Sequence, residues 1–160
     1  FEIYKAEPKR VELVNAAVLL EKDIKETLIE FHESPNSAAS SVGYEHVAIF
    51  ANEKNADGDV INPRKIHVGS IGFKELLSRF GGSFEFINID VEGFSSELVL
   101  QDWFNPLDYN CKLLCVEVDL DRTESLGFIP QVYRNKMNEK FLKLGYKVVG
   151  STFENQIYAL

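Results

Sequence analysis

The chain has 160 residues, about the size of one domain, and its 45% hydrophobic and 26% charged content is ordinary for a globular protein. Its net charge of −8 argues against a nucleic acid or an anionic membrane surface as the main partner. No apolar run approaches the roughly 20 residues that span a bilayer, which argues against a membrane protein. Cys111 and Cys115 lie on one apolar run without metal-ligand neighbours, so we interpret them as reduced core thiols of a cytoplasmic protein.

The first half of the chain is rich in strand-forming residues. Such runs lie at 11–18, 26–31 and 65–68, and a Ser- and Pro-rich loop occupies 32–43. The spacing of apolar residues then predicts a helix over 70–80, ended by two glycines.

The run FEFINIDV at 84–91 is aromatic or β-branched and nearly continuous in its apolar character. This pattern is typical of a strand covered on both faces, as in the interior of a parallel sheet. The chain then alternates between predicted helices at 94–104 and 132–144 and predicted strands at 112–118, 146–149 and 155–160. The alternation predicts an α/β fold with a mostly parallel sheet, and the short last turn predicts an antiparallel strand pair at its end.

Carboxylates follow two of these strands at the point where each should end. Asp90 and Glu92 follow the first, and Glu117 and Asp119 the second. Ligands of open α/β sheets bind outside the carboxyl ends of the strands, so these acids are candidates for catalysis. An ordinary strand-to-helix connection, with one acid capping the next helix, explains the first pair equally well. Oxygen ligands also suit Mg²⁺, so a metal-dependent enzyme is an alternative, although no GxxxxGK[ST] phosphate loop accompanies them.

Several segments occur in an order typical of one enzyme family. They are VELVNAAV (11–18), IHVGSIGFKELLSRFGG (66–82), FEFINIDVEGFSSELVL (84–100), LLCVEVD (113–119) and LGYKVVGSTFENQIYAL (144–160). Together they resemble the FkbM family of S-adenosylmethionine-dependent methyltransferases. The resemblance implies a single methyltransferase-like domain over 1–160, with the Rossmann-like class I sheet of seven strands and a final antiparallel hairpin.

The resemblance also implies roles for the acidic residues. Asp90 would lie at the junction of cofactor and substrate, where it orients the substrate or accepts its proton, and Glu92 is the second candidate. Glu117 and Asn155 would lie on the substrate side. The expected reaction is O-methylation of a small hydroxyl-bearing acceptor, such as a sugar or a natural product, and it needs no metal.

The cofactor side departs from the family pattern. Asn15 and Ala16 match the region that borders the adenine, and Glu7 would hold the ribose if AEP (6–8) is the family's EP motif. In the other alignment Glu7 has no role. The family's glycine-rich loop is absent, since no GxG occurs in the chain. We therefore expect an N-terminal part of the fold to precede Phe1, and weak cofactor binding without it.

Two further expectations follow from the missing loop. The 160 residues alone would leave apolar sheet surface uncovered, which makes self-association into a homo-oligomer a candidate state. A methyltransferase-like module that binds a partner without catalysis is the alternative function that the missing loop favours.

Overall fold

A computed structural model describes residues 12–24, 26–34, 40–42, 47, 62–118 and 131–160. These residues form an α/β structure with two mixed sheets. Every helix among them is too short or too polar to cross a membrane.

The first sheet has three strands in the order β1-β3-β2, formed by β1 (Ala17–Leu19), β2 (Leu28–Glu33) and β3 (Arg64–Gly72). The long central strand β3 runs parallel to β1 and antiparallel to β2. Helix α1 (Phe73–Arg79) follows β3 directly and buries Phe73 and Leu77. The strands predicted at 26–31 and 65–68 are thus confirmed, with β3 longer than expected.

The strand predicted at 11–18 is wrong in its extent. Residues 12–16 do not belong to a strand, and β1 covers only Ala17–Leu19. Leu13 is 58% exposed, so this apolar residue does not pack in the core. The pairing explains the short strand, because β1 meets β3 only where Ala17 lies opposite Ser70 and Leu19 opposite Gly72.

The second sheet has four strands in the order β4-β5-β7-β6, formed by β4 (Phe86–Ile89), β5 (Leu113–Glu117), β6 (Lys147–Ser151) and β7 (Asn155–Ala159). Strands β4 and β5 are parallel, whereas β7 is antiparallel to both β5 and β6. The antiparallel pair that the sequence predicts at the end of the chain is therefore confirmed.

A mostly parallel sheet with 84–91 in its interior is not what the described strands form. Two of their pairings are parallel and three antiparallel, and β4 lies at the edge of its sheet. Ile87 and Ile89 are buried, but Phe86 is 53% exposed and Asn88 is exposed. Only one face of β4 is covered. The prediction of a strand covered on both faces, which depended on its aromatic and β-branched residues, is therefore wrong.

Helices α2 (Ser95–Val99) and α3 (Gln131–Lys143) cover the buried face of this second sheet. Met137 and Phe141 of α3 are fully buried, and Phe141 meets the ring of Tyr158 with centroids 4.8 Å apart. Gly145, which follows α3, has φ +95°. This left-handed conformation ends the helix, as the sequence predicts.

The helix predicted over 94–104 is much shorter in the structure. It ends at Val99, and turns carry the chain to Phe104, which is fully buried. The amine Nζ of Lys140, on α3, donates to the carbonyl oxygens of Val99 at 2.8 Å and Gln101 at 2.6 Å. These bonds satisfy carbonyls that a longer helix would have paired internally, so α3 stabilises the early end of α2.

Candidate functional site

The chain turns sharply directly after β4. Glu92 has φ +49° and Gly93 has φ +93°, so two consecutive residues adopt left-handed backbone. This conformation is free for glycine but costs a residue with a side chain roughly 1–2 kcal/mol. The turn carries the chain from the strand end at Asp90 to the start of α2 at Ser95.

Three carboxylates meet at this turn. One oxygen from each of Asp90, Glu92 and Glu117 lies within 4.8 Å of the others. The parallel register explains the convergence, because Ile89 lies opposite Val116 and the next residues are Asp90 and Glu117. Asp90 is exposed, whereas Glu92 and Glu117 are half-buried. We call these three residues the acidic cluster; Asp119, the fourth acid of the sequence pattern, lies outside the described residues.

Two fully buried serines at the start of α2 hold the acidic cluster in place. The hydroxyl of Ser95 donates to Oε2 of Glu117 at 2.9 Å and accepts from the backbone N–H of Val91 at 2.9 Å. The hydroxyl of Ser96 donates to the backbone carbonyl of Glu117 at 3.5 Å. In the sequence both serines fall at the start of the helix predicted over 94–104, which gives them no role beyond that helix. The signal was their position directly after an acidic turn, where hydroxyls can reach carboxylates.

A thiol and an amide border the acidic cluster. Asn155 lies opposite Glu117 in the β5–β7 register, and its Oδ1 is 3.8 Å from Sγ of Cys115. Burial raises the pKa of the Cys115 thiol, and the negative charge of Asp90 raises it further. Cys115 therefore lies beside the cluster as a protonated thiol, and the sequence analysis assigned it only to the core.

Ser41, in the described segment 40–42, contacts the same turn. The hydroxyl of Ser41, which is 2% exposed, donates to the backbone carbonyl of Glu92 at 2.8 Å. Backbone hydrogen bonds of 2.8 and 3.0 Å join Ser41 to His32 at the end of β2. The first sheet is thus connected to the acidic cluster through Ser41.

The residues expected on the cofactor side do not join the cluster. Asn15 is exposed and Ala16 half-buried, and both precede β1 at its amino end. Both fall within the strand predicted over 11–18, and that prediction is wrong for them because β1 begins after them. Glu7 lies outside the described residues.

A cavity of about 230 Å³ lies between β1, β2 and the start of α2. Phe94, two residues after Glu92, and Val42, one residue after Ser41, are among the residues that line it. The acidic cluster and the cavity therefore share the turn between β4 and α2.

No protein-family model, curated protein or solved structure matches this chain. Function is therefore inferred from the geometry of the acidic cluster and from the sequence resemblance. Chemically, the cluster can accept a proton, bind a positively charged group or supply oxygen ligands to a cation.

Proposed function

We propose that this chain supplies the acceptor side of an S-adenosylmethionine-dependent methyltransferase that acts on a hydroxyl group of a small molecule. The observation that carries the proposal is the convergence of Asp90, Glu92 and Glu117 beside the carboxyl ends of two adjacent parallel strands. Open α/β sheets bind ligands at this edge. The resemblance to the FkbM family and the antiparallel final strand pair support the proposal.

In this proposal Asp90 is the general base. Its carboxylate is exposed, so it can reach an acceptor hydroxyl and take the proton as the oxygen becomes a nucleophile. Glu117, fixed by Ser95, and the amide of Asn155 orient the acceptor. Positioning of this kind lowers the barrier of a displacement reaction, since the reacting atoms must be aligned.

The described residues fit one part of the cofactor. S-adenosylmethionine supplies its methyl group from a positively charged sulfur, and three converging carboxylates favour a positive charge nearby. The ribose and carboxypropyl groups are a different case, because the sequence contains no GxG loop and Asn15 and Ala16 lie at the amino end of β1. These residues therefore support the proposal at the acceptor and at the sulfonium group, and not at the ribose or the carboxypropyl group.

The test is calorimetric titration of S-adenosylhomocysteine into the full-length gene product, followed by transfer of a labelled methyl group to hydroxyl compounds. We expect the protein to bind S-adenosylhomocysteine near 1 μM, roughly −8 kcal/mol. The titration needs no knowledge of the acceptor, so its result is decisive. A full-length protein that does not bind S-adenosylhomocysteine is not this enzyme.

The same geometry favours one second candidate, a site for a divalent cation. Three carboxylate oxygens within 4.8 Å repel one another, and a bound Mg²⁺ or Mn²⁺ would relieve that repulsion. Titration of Mn²⁺ into the wild-type protein, Glu117→Gln and Glu85→Gln separates the two functions, because Glu85 is an exposed acid that pairs with Lys112 on the surface and lies outside the acidic cluster. The methyltransferase proposal predicts no tight site. Micromolar binding that Glu117→Gln removes and Glu85→Gln retains would favour the metal enzyme.

A further inference from the structure

The cavity between the first sheet and α2 has an apolar wall. Val18 and Leu20 line it from the end of β1, Ile29 from β2, and Phe94 and Leu98 from the start of α2. An apolar cavity of about 150 Å³ is enough to bind benzene. At about 230 Å³ this cavity has room for a larger ring system.

The cavity is tied to the acidic cluster by covalent and hydrogen bonds. Phe94 is two residues from Glu92, a distance of about 7 Å even along extended chain. Val42 follows Ser41, whose hydroxyl donates to the carbonyl of Glu92 at 2.8 Å. A ligand that fills the cavity therefore lies beside the turn that carries the proposed catalytic carboxylates.

The charge around the cavity selects against anions. Asp23 and Glu30 both line it, and the ammonium of Lys65 lies 2.9 Å from the Glu30 carboxylate. The hydrogen bond from Lys65 lowers the pKa of Glu30, so this acid is charged at neutral pH. The charge of Lys65 offsets that of Glu30, and the negative charge of Asp23 remains.

We propose that the cavity binds the apolar ring of the methyl acceptor, which is a neutral or cationic aromatic or alicyclic alcohol. This inference rests on the proposed function, because that function assigns the neighbouring carboxylates to a hydroxyl group. A sugar does not fit the cavity, since its hydroxyls would lose hydrogen bonds to water against an apolar wall. An anionic ligand is disfavoured by the carboxylates of Asp23 and Glu30.

The test is calorimetric titration of two probes of the same ring system, neutral 2-naphthol and anionic 2-naphthoate. We expect 2-naphthol to bind the wild-type protein at least tenfold more tightly than 2-naphthoate. The variant Ile29→Phe, which fills the cavity, should weaken 2-naphthol binding at least tenfold. Its matched control is Leu28→Phe, a similar enlargement at the neighbouring position of β2. Leu28 is 56% exposed and is not among the residues that line the cavity, so this variant should change nothing.

Three results would overturn the ligand class: no binding of 2-naphthol, equal binding of 2-naphthoate, or equal loss of binding in Ile29→Phe and Leu28→Phe. The comparison of probes uses only wild-type protein, so it decides even if Ile29→Phe does not fold. Failure of the proposed function gives a different pattern. Binding of 2-naphthol without binding of S-adenosylhomocysteine would overturn the methyltransferase but keep the ligand class, and the reverse would overturn the ligand class alone.

Discussion

The hydroxyl of Ser95 donates a hydrogen bond of 2.9 Å to the carboxylate of Glu117, which joins the first turn of α2 to the end of β5. The same hydroxyl accepts from the backbone N–H of Val91, in the turn that follows β4. One fully buried side chain thus fixes both strand ends that carry the acidic cluster. The geometry of the cluster therefore depends on Ser95 as much as on the acids themselves.

Replacing Ser95 by alanine should destabilise the protein. The Val91 N–H loses this partner and the Glu117 carboxylate loses a buried donor, which together cost about 1–3 kcal/mol of the free energy of unfolding. Urea denaturation measures the change. The control is Ser78→Ala, because Ser78 is exposed and its hydroxyl donates to the Lys74 carbonyl within α1. Its effect should stay within about 0.5 kcal/mol, and equal losses in the two variants would contradict the role of Ser95.

Cysteine labelling reports the charge of the acidic cluster without any assay of activity. Cys111 is 1% exposed, whereas Cys115 is only half-buried, so iodoacetamide should modify Cys115 first in the native protein. Asp90→Asn should speed this reaction, because the Asp90 charge raises the pKa of the Cys115 thiol and the thiolate is the reactive form. Mass spectrometry of peptides gives the rates. Modification of Cys111 first, or an unchanged rate in Asp90→Asn, would contradict the arrangement.

Tyr146 makes the free energy of unfolding depend on pH in the alkaline range. Its hydroxyl is buried and donates to the carbonyl of Cys111, and burial raises its pKa to about 12. Because the unfolded tyrosine loses its proton near pH 10, this contribution is complete below pH 10 and is lost as the pH rises toward about 12.

Tyr146→Phe should therefore lower the free energy of unfolding at pH 8 by about 1–3 kcal/mol, through the lost hydrogen bond. It should also lose less further stability between pH 10 and pH 12 than the wild type does. Burial raises the pKa of Tyr158 as well, so part of the alkaline decline should remain. Denaturation curves at the two ends of this range check the prediction, and parallel declines in both proteins would contradict it.

Local patterns predict the second half of the chain well. The strands at 84–91 and 112–118 and the final pair appear near their predicted positions, because each has its own run of β-branched or aromatic residues. The sequence also places Asp90 and Glu117 at strand ends, but their meeting follows from the parallel pairing of β4 with β5 in the structure.

The sequence does not show which strands pair with each other or which side chains pack together. The run at 11–18 was expected to form a buried strand, but only its last residues have a partner strand in β3. The predicted helix at 94–104 ends at Val99, where Lys140, some 40 residues later, bonds to the carbonyls of Val99 and Gln101 and stabilises this end. Ser95 was identifiable as a helix start, but its bond to Glu117 depends on a strand that is 22 residues away.

The most direct test of the proposed function is the rate of methyl transfer from S-adenosylmethionine to an aromatic alcohol by full-length wild-type protein and Asp90→Asn. We predict that Asp90→Asn lowers the rate about 100-fold or more, as expected for loss of a general base, with little change in the free energy of unfolding. Asp102→Asn is the matched control, because Asp102 is an exposed acid on the turns that follow α2. It should keep the wild-type rate. An Asp90→Asn protein that is folded and transfers methyl groups as fast as the wild type would contradict the role of the acidic cluster.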